Sequence, residues 1–175
     1  MWPFRRNRPA EVKPPADAPE VIENPEIPGR DEVMKWFGEW PSFHDAEILE
    51  LYLDRSGPSW VKLHAWLTTN RTDDKGYFIL EKHAVVTFTF DDISDLKLDD
   101  FSSQNVISCL LLTRRADRLR ISLGPCYGIA GYIEAKAITV SLSPGKPSAS
   151  GTPIRSPAKP TASPHTDEDS SLRSE

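Results

Sequence analysis

His44, Asp45 and Glu47 place an imidazole and two carboxylates within four residues, inside the run Trp40-Pro41-Ser42-Phe43-His44-Asp45-Ala46-Glu47. Such a trio could hold a divalent metal or work as a general acid/base pair. The same residues also suit a structural use: a His-Asp pair after an aromatic can hydrogen-bond the chain where it enters a strand. Strand geometry bears on the choice. Residues 45 and 47 share one face of a strand and residue 44 points away. The trio converges on one ion only if the backbone turns at Asp45. His64 and His83 stand isolated in the sequence and read as ordinary strand or surface histidines.

Asp91, Asp92, Asp95, Asp99 and Asp100 put five carboxylates into ten residues. They read as the connection between two strands. One use is a solvated polar loop; the other is an electrostatic face for a basic partner. The spacing lacks the glycine and distal glutamate of a calcium loop. Trp60 and Trp66 share the polar face of a strand with Lys62 and His64. Tryptophans are favoured binding anchors, but a helix covering that face would make them core, and covering is the expectation.

Other chemistry finds no support. There is no phosphate-cradling glycine loop, no serine-nucleophile motif and no paired Cys and His in sequence. Cys109 and Cys126 read as reduced, buried thiols, and two cysteines without a neighbouring histidine make no zinc site. The chain therefore reads as a non-enzyme with no cofactor and no metal.

The elements that must hold these groups are mostly strands. Asp31–Phe37 has acids in its first turn and Gly38 behind it, which predicts a short helix with Met34 and Phe37 inward. Alternation predicts strands over 47–55, with Leu49, Leu51 and Leu53 on one face, and over 60–68, with Val61, Leu63, Ala65 and Leu67 inward. Ser56-Gly57-Pro58 turns between them. Residues 77–80 predict a short strand and Ala84–Phe90 a clear one. Residues 101–112 predict an irregular turn and then a strand. Arg118–Leu123 and Ile133–Leu142 predict two more, around a loop from Gly124 to Gly131. The fold class is α+β: a mainly antiparallel, twisted β-sheet with one or two short helices.

Composition marks the ends off from this body. Thirteen of the 16 prolines lie in residues 1–28 or 143–175. The organisation reads as a disordered Pro-rich segment over 1–29, one domain over 30–142 and a disordered Ser/Pro-rich tail over 143–175. Residues 31–142 hold 17 acids and 12 bases, the whole of the net charge of −5. A negative body disfavours nucleic acid and anionic membranes and favours a basic partner. Arg5, Arg6 and Arg8 are too few to reverse that. No apolar run is long enough to span a bilayer and no secretory signal is visible, so the expected compartment is the cytoplasm.

The run from Phe37 to Glu47, followed by a strand ending Leu53-Asp54-Arg55, resembles the immunity protein 50 family of bacterial polymorphic toxin–immunity systems. Phe88-Thr89-Phe90, Leu98, Phe101, Gln104-Asn105-Val106-Ile107 and Gly128–Glu134 follow in the family's order. The resemblance covers about residues 31–142 and neither tail. It implies a small cytoplasmic α+β protein that binds and neutralises a cognate toxin, without catalytic residues. On that reading Asp91, Asp92, Asp95, Asp99 and Asp100 are the partner-binding candidates. Trp40, Phe43, His44, Asp45 and Glu47 form a motif, structural or binding. The alternatives are a small hydrolase or metal-dependent enzyme using His44, Asp45 and Glu47, or an adaptor domain with flexible tails.

Overall fold

The structure, a computed structural model, describes residues 20–21 and 26–147. Most of both expected tails lies outside those residues. In chain order the elements are β1 (Glu20–Val21), α1 (Arg30–Phe37), β2 (Glu47–Tyr52), β3 (Ser59–Thr72), β4 (Phe78–Asp99), β5 (Val106–Arg115), β6 (Arg118–Tyr127) and β7 (Ala130–Pro144). Every strand pairing is antiparallel, as the alternating patterns imply.

Two three-stranded meanders, β2–β3–β4 and β5–β6–β7, make the sheet. They join along a long seam between β4 and β7, from Ala84 opposite Pro144 to Asp99 opposite Ala130. On the other side β5 returns to β2 through one register pair, Glu47 opposite Val106. The ring β2–β3–β4–β7–β6–β5 thus closes on itself, and closure leaves few open strand edges. The two-residue strand β1 pairs with the end of β5.

The inward face is apolar on every long strand. Val61, Leu63 and Ala65 of β3 meet Ala84, Val86, Phe88 and Phe90 of β4, and Ile133, Ala135, Ile138 and Val140 of β7. Ile107, Leu110 and Leu112 of β5 and Leu119, Ile121 and Leu123 of β6 complete the core. Each large side chain fully buried this way contributes roughly 1.5–3 kcal/mol. Helix α1 packs on β7 and β4 through Val33 and Phe37, one turn apart. Met34, expected inward, is only half-buried. Gly38 ends the helix in the left-handed region, its N–H donating to the Met34 carbonyl at 2.7 Å.

Three expectations need correction. In β2 the alternation slips at a bulge between Ile48 and Glu50. Ile48 is buried, while Leu49 and Leu53 are exposed; one extra residue moves the following side chains to the other face. Residues 78–99 form one strand where two strands and an acidic connection are expected. Left-handed residues Lys82 (φ 51°) and Asp92 (φ 55°) bend it, and pairing to β7 holds Asp91–Asp99 extended despite poor strand propensity. Most of Gly124–Gly131 belongs to β6 and β7, and only Gly128 and Ile129 separate them. Contacts continue at both ends of the described body. Ile27 is buried, the Pro28 carbonyl accepts from the Val140 N–H at 2.9 Å, and β7 runs to Pro144.

Candidate functional site

The Trp40–Glu47 run sits at the short seam. The Trp40, Phe43 and Phe88 rings meet edge-on, with centroids 5.6–6.3 Å apart, and this anchors the run on the core. Phe43 (φ 57°) and Asp45 (φ 63°) both take the left-handed conformation. For a bulky residue such as Phe43 this costs on the order of 1–3 kcal/mol, which the burial of its ring offsets. The two turns aim the backbone at β5. The Asp45 N–H donates to the Ile107 carbonyl (2.9 Å), the Ile107 N–H to the Ala46 carbonyl (3.0 Å), and the Ile48 N–H to the Asn105 carbonyl (2.8 Å). The main chain of the motif therefore closes the ring.

Its ionisable side chains take little part in that. His44 Nδ1 lies 3.0 Å from Asp45 Oδ2, and both side chains are more than half exposed. Glu47 is elsewhere, opposite His64 on β3. The trio is split, and among the described residues no group of three or more His, Cys, Asp or Glu side chains is arranged to hold a metal ion. Cys126, expected buried, is exposed and lies 4.0 Å from Asp45 Oδ1. Asn105, whose chemistry drew no notice in the sequence, locks the seam from inside. It is buried; its Oδ1 accepts from the Ser102 and Ile129 N–H groups, each at 3.0 Å, and its Nδ2 donates to the Ser102 carbonyl at 2.8 Å. Gly128 (φ 76°) passes so close that a Cβ there would fall 2.5 Å from Asn105 Oδ1.

The five aspartates do not act alike. Asp95 belongs to a packed network: it accepts the Tyr132 hydroxyl at 2.8 Å and lies 3.7 Å from Arg120. Arg120 also bonds Glu134 at 2.8 Å and stacks over the Tyr132 ring at 3.8 Å. The hydrogen bond to Asp95 raises the Tyr132 phenol above its ordinary value. Asp99 pairs with Lys97 at 3.6 Å and Asp92 with Arg118 at 3.5 Å. The side chains of Asp91 and Asp100 make no hydrogen bond or ion pair with the described residues. Asp91 and Asp92 line a cleft of about 630 Å³ with Leu53, Asp54, Arg55, Phe90, Ile93 and Leu96.

The outer face of β3 carries the second group of polar side chains. Trp60 stacks on Tyr52 with ring centroids 4.0 Å apart, and its Nε1 donates to Glu50 at 2.6 Å. Lys62 bonds the same carboxylate at 2.7 Å. Burial pushes the Glu50 carboxyl up, but the bonds from Lys62 and Trp60 outweigh it and hold the group below its ordinary value. The covering helix expected here is not found among the described residues. Trp60 and Trp66 stay half-buried and the one described helix packs on β7 and β4. His64 and His83 are far from isolated: His64 Nε2 lies 3.1 Å from His83 Nδ1, with Trp66 against both rings. Desolvation lowers both histidines, with the His83 charge next for His64 and the Lys146 charge next for His83. The hairpin register, Ala65 opposite Ala84, is the signal that could have found this pair.

The family model described as immunity protein 50 matches residues 29–143, the whole ring and its helix. The chain belongs to the immunity protein 50 family. No curated protein and no solved structure matches it. In this immunity protein 50 member the Trp40–Glu47 run serves the ring through its backbone, and Asp91 and Asp92 line the cleft beside the β2–β3 turn. No described helix is long and apolar enough to cross a membrane.

Proposed function

We propose that this protein binds and neutralises a cognate toxin in the cytoplasm by occupancy, without turnover. The observation that carries the reading is the family match over the entire described ring. The partner presents a basic surface, because the net charge of −5 belongs to residues 31–142 and complementary fields speed and orient association. The acidic stretch of β4 is the contact face, led by Asp91 and Asp92, with Asp95, Asp99 and Asp100 alongside. Neither nucleic acid nor membrane insertion is part of the role. The divergence of Glu47 from His44 and Asp45 supports a non-catalytic reading over a hydrolase.

The test is co-expression of the full chain with the toxin encoded beside its gene. Growth is restored and the two proteins co-purify in a fixed ratio. If that product is harmless, or if it is toxic and never binds this chain, the immunity assignment fails.

A further inference from the structure

The cleft beside the β2–β3 turn combines an uncovered apolar floor with a charged rim. Leu53 and Leu96 are 46% and 41% exposed, and Phe90 and Ile93 continue the floor into the core. Isolated exposed leucines are ordinary, but here two share one concavity with nothing among the described residues covering it. The wall is fixed in advance. Ser59 is 1% exposed, and its hydroxyl accepts from the Asp54 N–H at 3.0 Å and donates to the Asp54 carbonyl at 3.4 Å. That clamps the turn at both ends of one residue. A preformed wall spares a ligand the cost of ordering it.

The rim decides what the cleft accepts. Three carboxylates, Asp54, Asp91 and Asp92, line it against one lining cation, Arg55, with Arg118 reaching Asp92 from outside the cleft. The Ser56 N–H bonds Asp54 at 2.8 Å and the Tyr52 hydroxyl bonds it at 3.1 Å; these hold its carboxyl below its ordinary value, so it stays ionised. The Asp91 side chain has no partner among the described residues, and Arg118 donates to the Asp92 carbonyl at 3.3 Å and lies 3.5 Å from its carboxylate. A wholly apolar group seated here would strip water from three carboxylates without replacing it, and an anion would be repelled. An alkyl stem ending in a cation satisfies both parts. Arginine does so best, because its planar head can bond two carboxylates at once.

Resting on the immunity reading, we infer that this cleft is the anchor point for the toxin. It receives one basic side chain of the toxin surface, arginine by preference. The stem lies on Leu53 and Leu96 and the head reaches Asp54, Asp91 and Asp92. The rest of the acidic stretch steers association, while this socket holds the complex.

The experiment measures the dissociation constant of the full chain for the toxin domain encoded beside its gene. The double variant Asp91→Asn/Asp92→Asn weakens binding by about tenfold or more, since charged hydrogen bonds are lost, and flattens its salt dependence. Leu96→Ala weakens it several-fold. Asp99→Asn/Asp100→Asn, on the same stretch and outside the cleft, changes it less than about twofold. Equal losses from both double variants, or no loss from the cleft variants, overturn the inference while leaving inhibition intact. If the wild-type chain does not bind, the immunity reading itself fails. The cleft is then judged alone, by titrating N-acetyl-arginine amide and its uncharged isostere N-acetyl-citrulline amide against the Gly57 and Leu96 resonances. Saturable shifts with the arginine compound only support the socket; none, or equal shifts with both, remove it.

Discussion

The Trp40–Glu47 run and the Asp91–Asp100 stretch are both dense in ionisable groups, and they are put to opposite uses. In the first, two left-handed residues turn the chain so that its peptide groups bond β5; the His44 and Asp45 side chains are more than half exposed and pair with each other. In the second, the backbone pairs with β7 on either side of a bend at Asp92 (φ 55°), and the side chains supply the distinction. Some are tied into ion pairs, and Asp91 is left open at a cleft. What separates the two is the main chain. Left-handed residues occur in both, at Phe43 and Asp45 and at Asp92 and Asp100. Where they aim peptide groups that close a seam, the motif is architecture. Where one only bends a strand whose ladder to β7 resumes beyond it, as at Asp92, the side chains are available for recognition.

The comparison breaks most directly at Asn105. Asn105→Ala leaves the buried Ile129 N–H without a partner and frees the Ser102 N–H. An unpaired buried donor costs about 1–3 kcal/mol, and the loss here falls at the upper end, about 3 kcal/mol. Urea denaturation measures it. A loss below about 0.5 kcal/mol would mean that the short seam does not hold the ring.

Asp45 comes next. Because its side chain is more than half exposed, Asp45→Ala acts through the backbone at φ 63°. Asp tolerates the left-handed region better than Ala, so the substitution costs about 1 kcal/mol. Asp45→Gly, free of that strain, costs less. If Ala and Gly were equal, or Gly worse, the carboxylate itself would be the stabilising group, and the motif would belong with the acidic stretch.

Much of this was legible in the sequence, and the failures have common causes. Strict alternation over Val61–Leu67 and Val86–Phe90 gave the inward faces, because both strands sit inside a closed ring with one wet side. The Leu49–Leu53 alternation misled because a bulge carries no residue signature of its own. The aspartates read as a loop because the pairing with β7 that makes them a strand is non-local. The His64–His83 pair and the Asn105 lock are long-range as well, 19 and 24 residues in span. Spacing along the chain does not reveal them; only the register of the paired strands does.

Acidification tests the outer face of β3 with a smaller effect. Both histidines titrate below the ordinary value of 6.5 in the folded state. On lowering the pH the unfolded chain therefore takes up protons first, so stability present near pH 7.5 declines as the pH falls through the ordinary histidine range. Glu47 opposes this at His64 and Lys146 reinforces it at both rings. His83→Gln removes one shifted group and the charge that disfavours protonation of His64, so the fall in melting temperature between pH 7.5 and 5.5 becomes shallower. An unchanged slope would show that the pair does not couple to folding.

The smallest change in stability belongs to Asp91, and its smallness is the sharpest form of the comparison. Asp91 is exposed and its side chain makes no hydrogen bond or ion pair with the described residues, while its backbone pairs with Ala137. Asn keeps the shape, removes one charge and leaves the ladder intact. Asp91→Asn therefore moves stability by less than about 0.5 kcal/mol, and its direction is toward slight stabilisation, because Asp92 is a like charge next to it in a body of net negative charge. Asp95→Asn, a few residues along the same strand, strikes the Arg120–Tyr132–Glu134 network and destabilises measurably more. Paired thermal melts at pH 7 and low salt read the difference. If Asp91→Asn cost as much as Asp95→Asn, Asp91 would be holding the fold, and the division between a strand that pairs and side chains that stay available would fail at the residue where it matters most.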